Sequence, residues 1–423
     1  MIKFIYIETY GCSANQNNSE IIRGKLKEAG LEETNSPEIA DFLILNTCIV
    51  KGPTENRMKG RILELSKLGK PLIITGCMPE IRKLKGKNIF LLGINHITEI
   101  NKLIRRILEN KCKKAEFLSP NKEIKLNCSK ISQNKLIGIT QISEGCLGNC
   151  NYCITKIVKK DLFSYPEDKI IENIKSDLAS GCREIWLTSQ DNAAYGLDRD
   201  TNLIDLLKKI LSINSLFRLR LGMMNPEHVL PILPELVEIY KNEKMYKFLH
   251  IPVQSGSNPV LKRMNRKYKV ENFIKIIGKF KKEIPNITLA TDIISAYPQE
   301  TQEEHEETLK LIKQVNPAVL NLTRYWARPG TLAAKEKQID SKIARARTLE
   351  IQKLHLSLSL EENKKLEGKE LEVFVNEKSG TTYFSRTRNY KIVIIKLQKN
   401  ILGKTVKVRI KKAFSHYLLG EIS

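Results

Sequence analysis

Ser143-Glu-Gly-Cys146-Leu-Gly-Asn-Cys150-Asn-Tyr-Cys153-Ile-Thr-Lys156 sets three cysteines in eight residues, with three residues and then two between them. The stretch follows a strand-like apolar run, Leu136 to Ile142, so it reads as a loop at the C-terminal end of a strand. Gly145 and Gly148 loosen it enough for all three thiols to turn toward one centre without passing through regular structure. That is metal-ligand spacing. Zinc would want a fourth ligand, yet the next cysteine is Cys182 and the nearest downstream histidine is His228, neither at zinc-finger distance.

Outward from this loop the chain repeats. Strand-like runs at Leu136–Ile142, Glu184–Thr188, Phe217–Leu221, Phe248–Ile251, Ile287–Ile294 and Val319–Thr323 alternate with amphipathic stretches. The helices are expected at Pro166–Ser180, Leu203–Ile213, His228–Tyr240, Val270–Lys282 and Gln302–Val315. Six such units predict an α/β fold, a (β/α)6 partial barrel with its site at the C-terminal ends of the strands. Residues just past those ends are the candidates: Ser189, Gln190 and Asp191, then Asn225, His250, Gln254 and Asp292. The alternative for each is ordinary strand-end and turn chemistry. His305-Glu-Glu-Thr-Leu309 lacks the second histidine of a zinc-protease helix, and no glycine loop of the P-loop kind is present.

Upstream, three short apolar runs each end on a cysteine. Phe4–Ile7 leads to Cys12, Phe42–Leu45 to Cys48, and Leu72–Ile74 to Cys77. Helix-like stretches at Ser19–Ala29 and Glu55–Leu68 separate them, which predicts a parallel α/β sheet with three thiols converging beyond its carboxyl edge. One such cysteine reads as a small buried hydrophobe; three at equivalent places do not. The Lys-rich stretch Lys111–Asn134, with Cys112 and Cys128, reads as a linker. Ser341–Lys365 reads as a long helix.

From Asn363 the pattern changes to alternating runs, Glu370–Val375, Tyr390–Leu397 and Thr405–Ile410, as in a small antiparallel barrel. Fourteen Lys or Arg against five Asp or Glu give this segment a net +9, interleaved with Phe374, Tyr383, Phe384 and Tyr390. The whole chain carries +24 over 423 residues, which calls for a polyanionic partner. Basic groups beside aromatics suit RNA. Neither a membrane span nor a secretory signal is read, so a cytoplasmic location is expected.

These motifs together resemble the radical S-adenosylmethionine (SAM) methylthiotransferase family. Glu8-Thr-Tyr-Gly-Cys12, Asn46-Thr-Cys48 and Thr75-Gly-Cys77 resemble its N-terminal domain, Trp326-Ala-Arg-Pro-Gly-Thr331 the loop ending its radical domain, and the C-terminus its TRAM domain. The resemblance implies domains at 1–115, 132–362 and 363–423. It implies that Cys146, Cys150 and Cys153 hold a 4Fe-4S cluster whose open iron takes SAM, and that Cys12, Cys48 and Cys77 hold an auxiliary 4Fe-4S cluster. The main chain at Tyr152 would meet the adenine of SAM and Ser189–Asp191 its methionine end. Ile185-Trp-Leu-Thr-Ser-Gln-Asp191, Arg220-Leu-Gly-Met-Met-Asn-Pro226 and Leu249-His-Ile-Pro-Val-Gln-Ser255 resemble the archaeal and eukaryotic branch, which acts on threonylcarbamoyladenosine 3′ of the tRNA anticodon. The implied partners are tRNA and a low-potential electron donor, with the sulfur donor left open. The alternatives are a relative acting on isopentenyladenosine or a ribosomal-protein aspartate, or a non-catalytic iron-sulfur RNA-binding protein. One departure stands out: the family's Pro-Gly-Glu turn is Pro298-Gln299-Glu300 here, which strains Gln299 if the turn needs positive φ.

Overall fold

The computed structural model describes residues 3–50, 52–82, 84–112, 117–118 and 122–423. Its first sheet is wholly parallel, in the order β2-β1-β3-β4-β5, from β1 (Lys3–Thr9), β2 (Leu31–Glu33), β3 (Phe42–Thr47), β4 (Leu72–Gly76) and β5 (Ile89–Leu92). Every residue of β3 and β4 is buried, as continuous apolar central strands require. Helices α1 (Ser13–Glu28), α2 (Gly52–Ser66) and α3 (Ile100–Leu108) flank it.

Helix α1 starts well before the expected Ser19, with Cys12 as its N-cap. Its polar first turns read as loop from sequence, yet Asn15, Asn17, Asn18, Ser19 and Glu20 are buried. They lie in an interdomain seam. Gly24 approaches the backbone of Ser129 so closely that a Cβ would stand 2.2 Å from its carbonyl oxygen.

That seam corrects the linker reading of Lys111–Asn134. Residues 113–116 and 119–121 of it lie outside the described residues; of the rest, Phe117 and Leu126 are buried, Cys112 and Cys128 pack against the first domain's core, and Lys125 is 1% exposed. A solvated lysine run is not what the fold makes of this segment.

The central domain follows the expected repeat within a residue or two. Strands β6 (Ile137–Gln141), β9 (Glu184–Thr188), β10 (Arg218–Leu221), β11 (Phe248–His250), β12 (Thr288–Ser295) and β13 (Val319–Arg324) form the arc, and β7 (Ser143–Glu144) and β8 (Phe163–Ser164) make a small ribbon beside it. All pairs in the arc are parallel. Regular pairing stops between β10 and β11, where an isolated bridge joins Leu219 to Met245 just ahead of β11, so the barrel wall is two three-stranded halves. Its outer helices are α5 (Glu167–Ala179), α6 (Leu203–Leu211), α7 (Pro226–Val229), α8 (Leu233–Lys241), α9 (Asn258–Arg263), α10 (Val270–Glu283), α11 (Gln302–Val315) and α12 (Ser341–Lys364), after the short α4 (Ile154–Lys159). The single helix expected at His228–Tyr240 is α7 and α8, interrupted at Pro231 and Pro234, which cannot donate to the helix ladder.

Five strands, β14 (Glu370–Ser379), β15 (Thr382–Thr387), β16 (Ile392–Lys396), β17 (Thr405–Ala413) and β18 (Leu418–Ile422), close a terminal barrel where three were read. It is not purely antiparallel, because β16 and β18 close it side by side in parallel. This barrel plugs the bottom of the central one. Tyr390 is buried against Tyr246 and Phe248, with ring centroids 4.8 Å from each. A bulge in β14 turns Asn376 inward to donate to Glu184 Oε2 at 2.9 Å.

Candidate active site

The cysteine loop sits at the top of β6, as expected. Gly145 is at φ +80 and a Cβ there would be 1.7 Å from the Asp161 carbonyl oxygen, so no other residue fits. Gly148 carries no such constraint, and a Cβ would only rest 3.5 and 3.7 Å from the Cys146 and Cys150 sulfurs. The loop is tied down on several sides. Lys156 Nζ donates to the Cys146 carbonyl at 2.6 Å, Asn265 Nδ2 to that of Asn149 at 2.7 Å, and the Gly145 amide to Gln190 Oε1 at 2.8 Å. Gln190 therefore holds the loop.

The other candidates around the loop divide by what they already bind. Asp191 spends Oδ1 on the amides of Ala193 and Asn225 and Oδ2 on His228 Nδ1 at 2.6 Å. Burial opposes a charge on His228, but that carboxylate outweighs it and raises the imidazole pKa above its ordinary value. Asp191 is thus an anchor between two loops. Ser189 Oγ, by contrast, is buried with no hydrogen-bond partner among the described residues. His250 Nε2 meets Asp292 Oδ1 at 2.8 Å, to which Asn321 Nδ2 also donates at 2.8 Å. Gln254 is buried at φ +72, its amide donating to Asp292 and its carbonyl accepting from Ile294. A left-handed non-glycine costs of order 1–3 kcal/mol and is held only where its surroundings insist. Gln299 adopts φ +64, as the Pro-Gln-Glu turn led one to expect, but on the surface, where Nε2 donates to Glu336 Oε2 at 2.6 Å. Tyr152 packs edge-on to Tyr297, centroids 6.3 Å apart.

Sequence reasoning missed Arg266. Nη1 donates to Cys150 Sγ at 3.2 Å, Nη2 to Asn225 Oδ1 at 2.9 Å and Nε to Tyr268 OH at 2.9 Å. It stands in a run of five basic residues, Lys262, Arg263, Arg266, Lys267 and Lys269, and only folding shows which one reaches the cysteine sulfur.

At the edge of the first sheet the other three cysteines do converge. Asn15 Nδ2 bridges the carbonyls of Tyr10 and Thr47, a Cβ on Gly11 would stand 2.9 Å from Cys48 Cβ, and the Cys77 amide donates to the Thr47 carbonyl at 3.0 Å. Burial pushes the Cys77 thiol up to about 12; Lys159 opposes the rise, while Cys12 and Cys48 add to it. The second triplet behaves alike. Burial raises the Cys146 thiol to about 12, with Asp191 next and Cys153 and Cys150 contributing.

Helix α4 joins the two triplets. It begins at Cys153, and its Ile154 and Val158 pack in the first domain's core beside Cys48 and Cys77. Its last residue, Lys159, is buried and donates to Glu144 Oε1 at 2.8 Å, where the equally buried Lys125 also donates at 2.7 Å. Burial raises the Glu144 pKa, but the two lysines overcome it and hold the carboxyl far below the usual range. Arg328 completes the junction, pairing with Glu55 at 2.8 Å, and Trp326 lies where a Cβ on Gly52 would be 2.8 Å from its ring.

Among the described residues no three His, Cys, Asp or Glu side chains stand close enough to share one metal ion. A cubane does not require that, since its thiolates sit on different irons. All-thiol donor sets, the orphaned Ser143 Oγ, Glu144 Oε2 and Ser189 Oγ around them, and Arg266 on a cysteine sulfur suit thiolate-bound clusters with a polar ligand alongside.

Comparison with known proteins agrees with this geometry. Residues 140–312 match the Radical SAM superfamily, 4–91 the Uncharacterized protein family UPF0004, and 364–423 the TRAM domain. Among solved structures, the radical SAM methyltransferase TsrM from Kitasatospora setae superposes with a TM-score of 0.56 at 12% identity, over 79% of this chain and 77% of that one. The fold and its cysteine loop define a radical SAM protein. A Pyrococcus horikoshii protein described as "Probable threonylcarbamoyladenosine tRNA methylthiotransferase" is 39% identical over 100% of both chains. The Homo sapiens threonylcarbamoyladenosine tRNA methylthiotransferase is 34% identical over 99% of this chain and 74% of its own. The chain belongs to the threonylcarbamoyladenosine tRNA methylthiotransferase family.

Proposed function

We propose that this enzyme transfers a methylthio group to C2 of N6-threonylcarbamoyladenosine at position 37 of tRNA, 3′ of the anticodon. The convergence of two cysteine triplets on either side of α4 carries the reading. Cys146, Cys150 and Cys153 would hold a 4Fe-4S cluster that, with SAM, would supply hydrogen abstraction from an unactivated C2–H, and Cys12, Cys48 and Cys77 would hold an auxiliary 4Fe-4S cluster at which the sulfur to be transferred would sit, its donor being left open.

The chain's own residues do the positioning. Gln190 and Lys156 fix the loop, and Arg266 brings a permanent positive charge to the Cys150 sulfur. Ser189 and the backbone near Tyr152 and Gln254 offer polar contacts to SAM. The His250–Asp292–Asn321 group lines the same mouth. Lys159 and Arg328 place positive charge beside the auxiliary thiolates, offsetting the charge of a buried cluster. A low-potential donor must deliver the electron. No helix among the described residues is long and apolar enough to cross a membrane.

Anaerobically reconstituted protein given SAM, dithionite and tRNA bearing threonylcarbamoyladenosine should yield the 2-methylthio nucleoside by mass spectrometry. Product on isopentenyladenosine tRNA instead would move the chain to a neighbouring family member's substrate, and tight tRNA binding without product would end the enzymatic reading.

The terminal barrel suits the tRNA backbone, but not through every residue its sequence suggests. Arg388 pairs with Glu243, Lys411 with Glu421, and Arg386 stacks on Tyr390 at the domain junction. Tyr383 and Tyr390 are core. Lys396, Lys399 and Lys404 are exposed at one end of the barrel with no acidic partner among the described residues. Deleting the domain would uncover Tyr246 and Phe248, so charge reversal is the cleaner test. Changing these three lysines to Glu should weaken tRNA binding and flatten its log-log salt dependence by about two units; an unchanged slope would place the RNA surface elsewhere.

A further inference from the structure

Arg220 lies on β10 with its flanking residues, Leu219 and Leu221, buried in the helix-facing core. Alternation along a strand therefore turns Arg220 into the barrel lumen. There its guanidinium sits among three rings, 5.1 Å from Trp186, 5.3 Å from Phe248 and 5.5 Å from Tyr390. Despite this setting it has no hydrogen bond or ion pair with any described residue, and its Nε is fully buried and unpartnered. The carboxylate of Glu184 on the neighbouring strand β9 is already taken by Trp186 Nε1 at 2.6 Å, Tyr246 OH at 3.2 Å and Asn376 Nδ2 at 2.9 Å. A cation shielded by rings and left without an anion is an anion site awaiting its ligand.

Its depth suits the substrate. Phe248, which touches Arg220, stands two residues before His250, and so roughly 6–7 Å beneath the His250–Asp292 pair at the mouth. An adenine presented at the mouth has its N6 substituent free to reach one layer down. The threonylcarbamoyl arm ends in a free carboxylate; an isopentenyl arm ends in methyl groups and an unmodified adenine has no arm.

We propose that Arg220 receives the threonyl carboxylate of the target nucleotide, making it the residue by which this site distinguishes its substrate from adenosines with an apolar N6 group or none. This rests on the substrate reading given above. The aromatic walls strengthen the pair by keeping water from it and give the aliphatic part of the arm something to pack on. Rejection of the apolar analogue follows from the same residue, because that analogue would cover the guanidinium without pairing it.

The test is a double comparison on full-length reconstituted protein. Anticodon stem-loops are prepared with threonylcarbamoyladenosine and with the same nucleotide methyl-esterified at its carboxylate, and their affinities are measured by fluorescence anisotropy for the parent, Arg220→Met and Arg220→Lys. Esterification should weaken binding to the parent roughly 10- to 100-fold. Arg220→Met should bind the free acid as poorly as the ester, within about twofold, and Arg220→Lys should recover part of the preference. Iron content and circular dichroism equal to the parent's exclude misfolding as the cause. An Arg220→Met protein that still prefers the acid by the parent's factor overturns the proposal, as does a parent indifferent to esterification. Methylthiolation of the free-acid RNA, read in parallel by mass spectrometry, separates the two readings: product without an Arg220-dependent preference sinks only the carboxylate site, and no product sinks the substrate assignment with it.

Discussion

Cys150→Ala should lower release of 5′-deoxyadenosine from SAM under dithionite by at least roughly 10³-fold while leaving about half the iron and sulfide in place. The thiol is one of three on a loop pinned by Gln190, Lys156 and Asn265, so its loss removes a ligand rather than unfolding a domain. It also removes the sulfur to which Arg266 Nη1 donates, leaving that side chain its bonds to Asn225 and Tyr268. The auxiliary triplet lies elsewhere, just past the ends of β1, β3 and β4, and should keep its own cluster. The converse variant, with Cys12, Cys48 and Cys77 all changed to Ala, should still cleave SAM yet form no methylthio product. Elemental analysis that finds a single cluster in the parent, or zinc in its place, would refute the two-cluster reading. Undiminished SAM cleavage by Cys150→Ala would refute the assignment of this loop.

Glu144→Gln should cost about 3–5 kcal/mol of stability, the range for breaking a buried ion pair from one side. Glu144 Oε1 accepts from Lys125 Nζ at 2.7 Å, Lys159 Nζ at 2.8 Å and Gln141 Nε2 at 2.7 Å, and all three charged groups are buried. Neutralising the carboxylate leaves two ammonium groups facing each other with no counter-charge. Lys125→Met should cost distinctly less, because Glu144 keeps Lys159 and Gln141. Urea denaturation of the cluster-free proteins, followed by circular dichroism, would measure both; a Glu144→Gln midpoint indistinguishable from the parent's would show that water or rearrangement already compensates these charges. Since Lys159 ends the helix that separates the triplets, and Lys125 comes from the segment read as a linker, this carboxylate also ties three parts of the chain together.

Much of this was legible in the residues. Strand-like runs ending on Cys12, Cys48 and Cys77, and a cysteine loop after the first strand of a βα repeat, place six thiols at two sheet edges by topology alone. Helix α11 has its expected bounds, Gln302–Val315, and the structure closes both ends sharply, with a capping box of Thr301 and Glu304 at the start and a left-handed Asn316 at the end. The start of α1 was not legible, because Asn15, Asn17 and Asn18 look solvated until a second domain covers them. Strands β15 and β18 are not read from sequence because they are mixed in polarity, and only barrel closure pairs them.

Sequence by itself thus determined the two triplets, the class of each domain and the side of each sheet on which the chemistry lies, since periodicity and loop position are local properties. Tertiary structure alone decided which charges matter. Arg266 reaches a cysteine sulfur while Lys267 stays with Asn265; Asp191 is consumed as an anchor; Lys125 and Lys159 meet on one carboxylate; Arg220 sits among aromatic rings drawn from two domains with no ion-pair partner among the described residues. The strength of a charge is set by its burial and its neighbours, and both come from residues far apart in the chain.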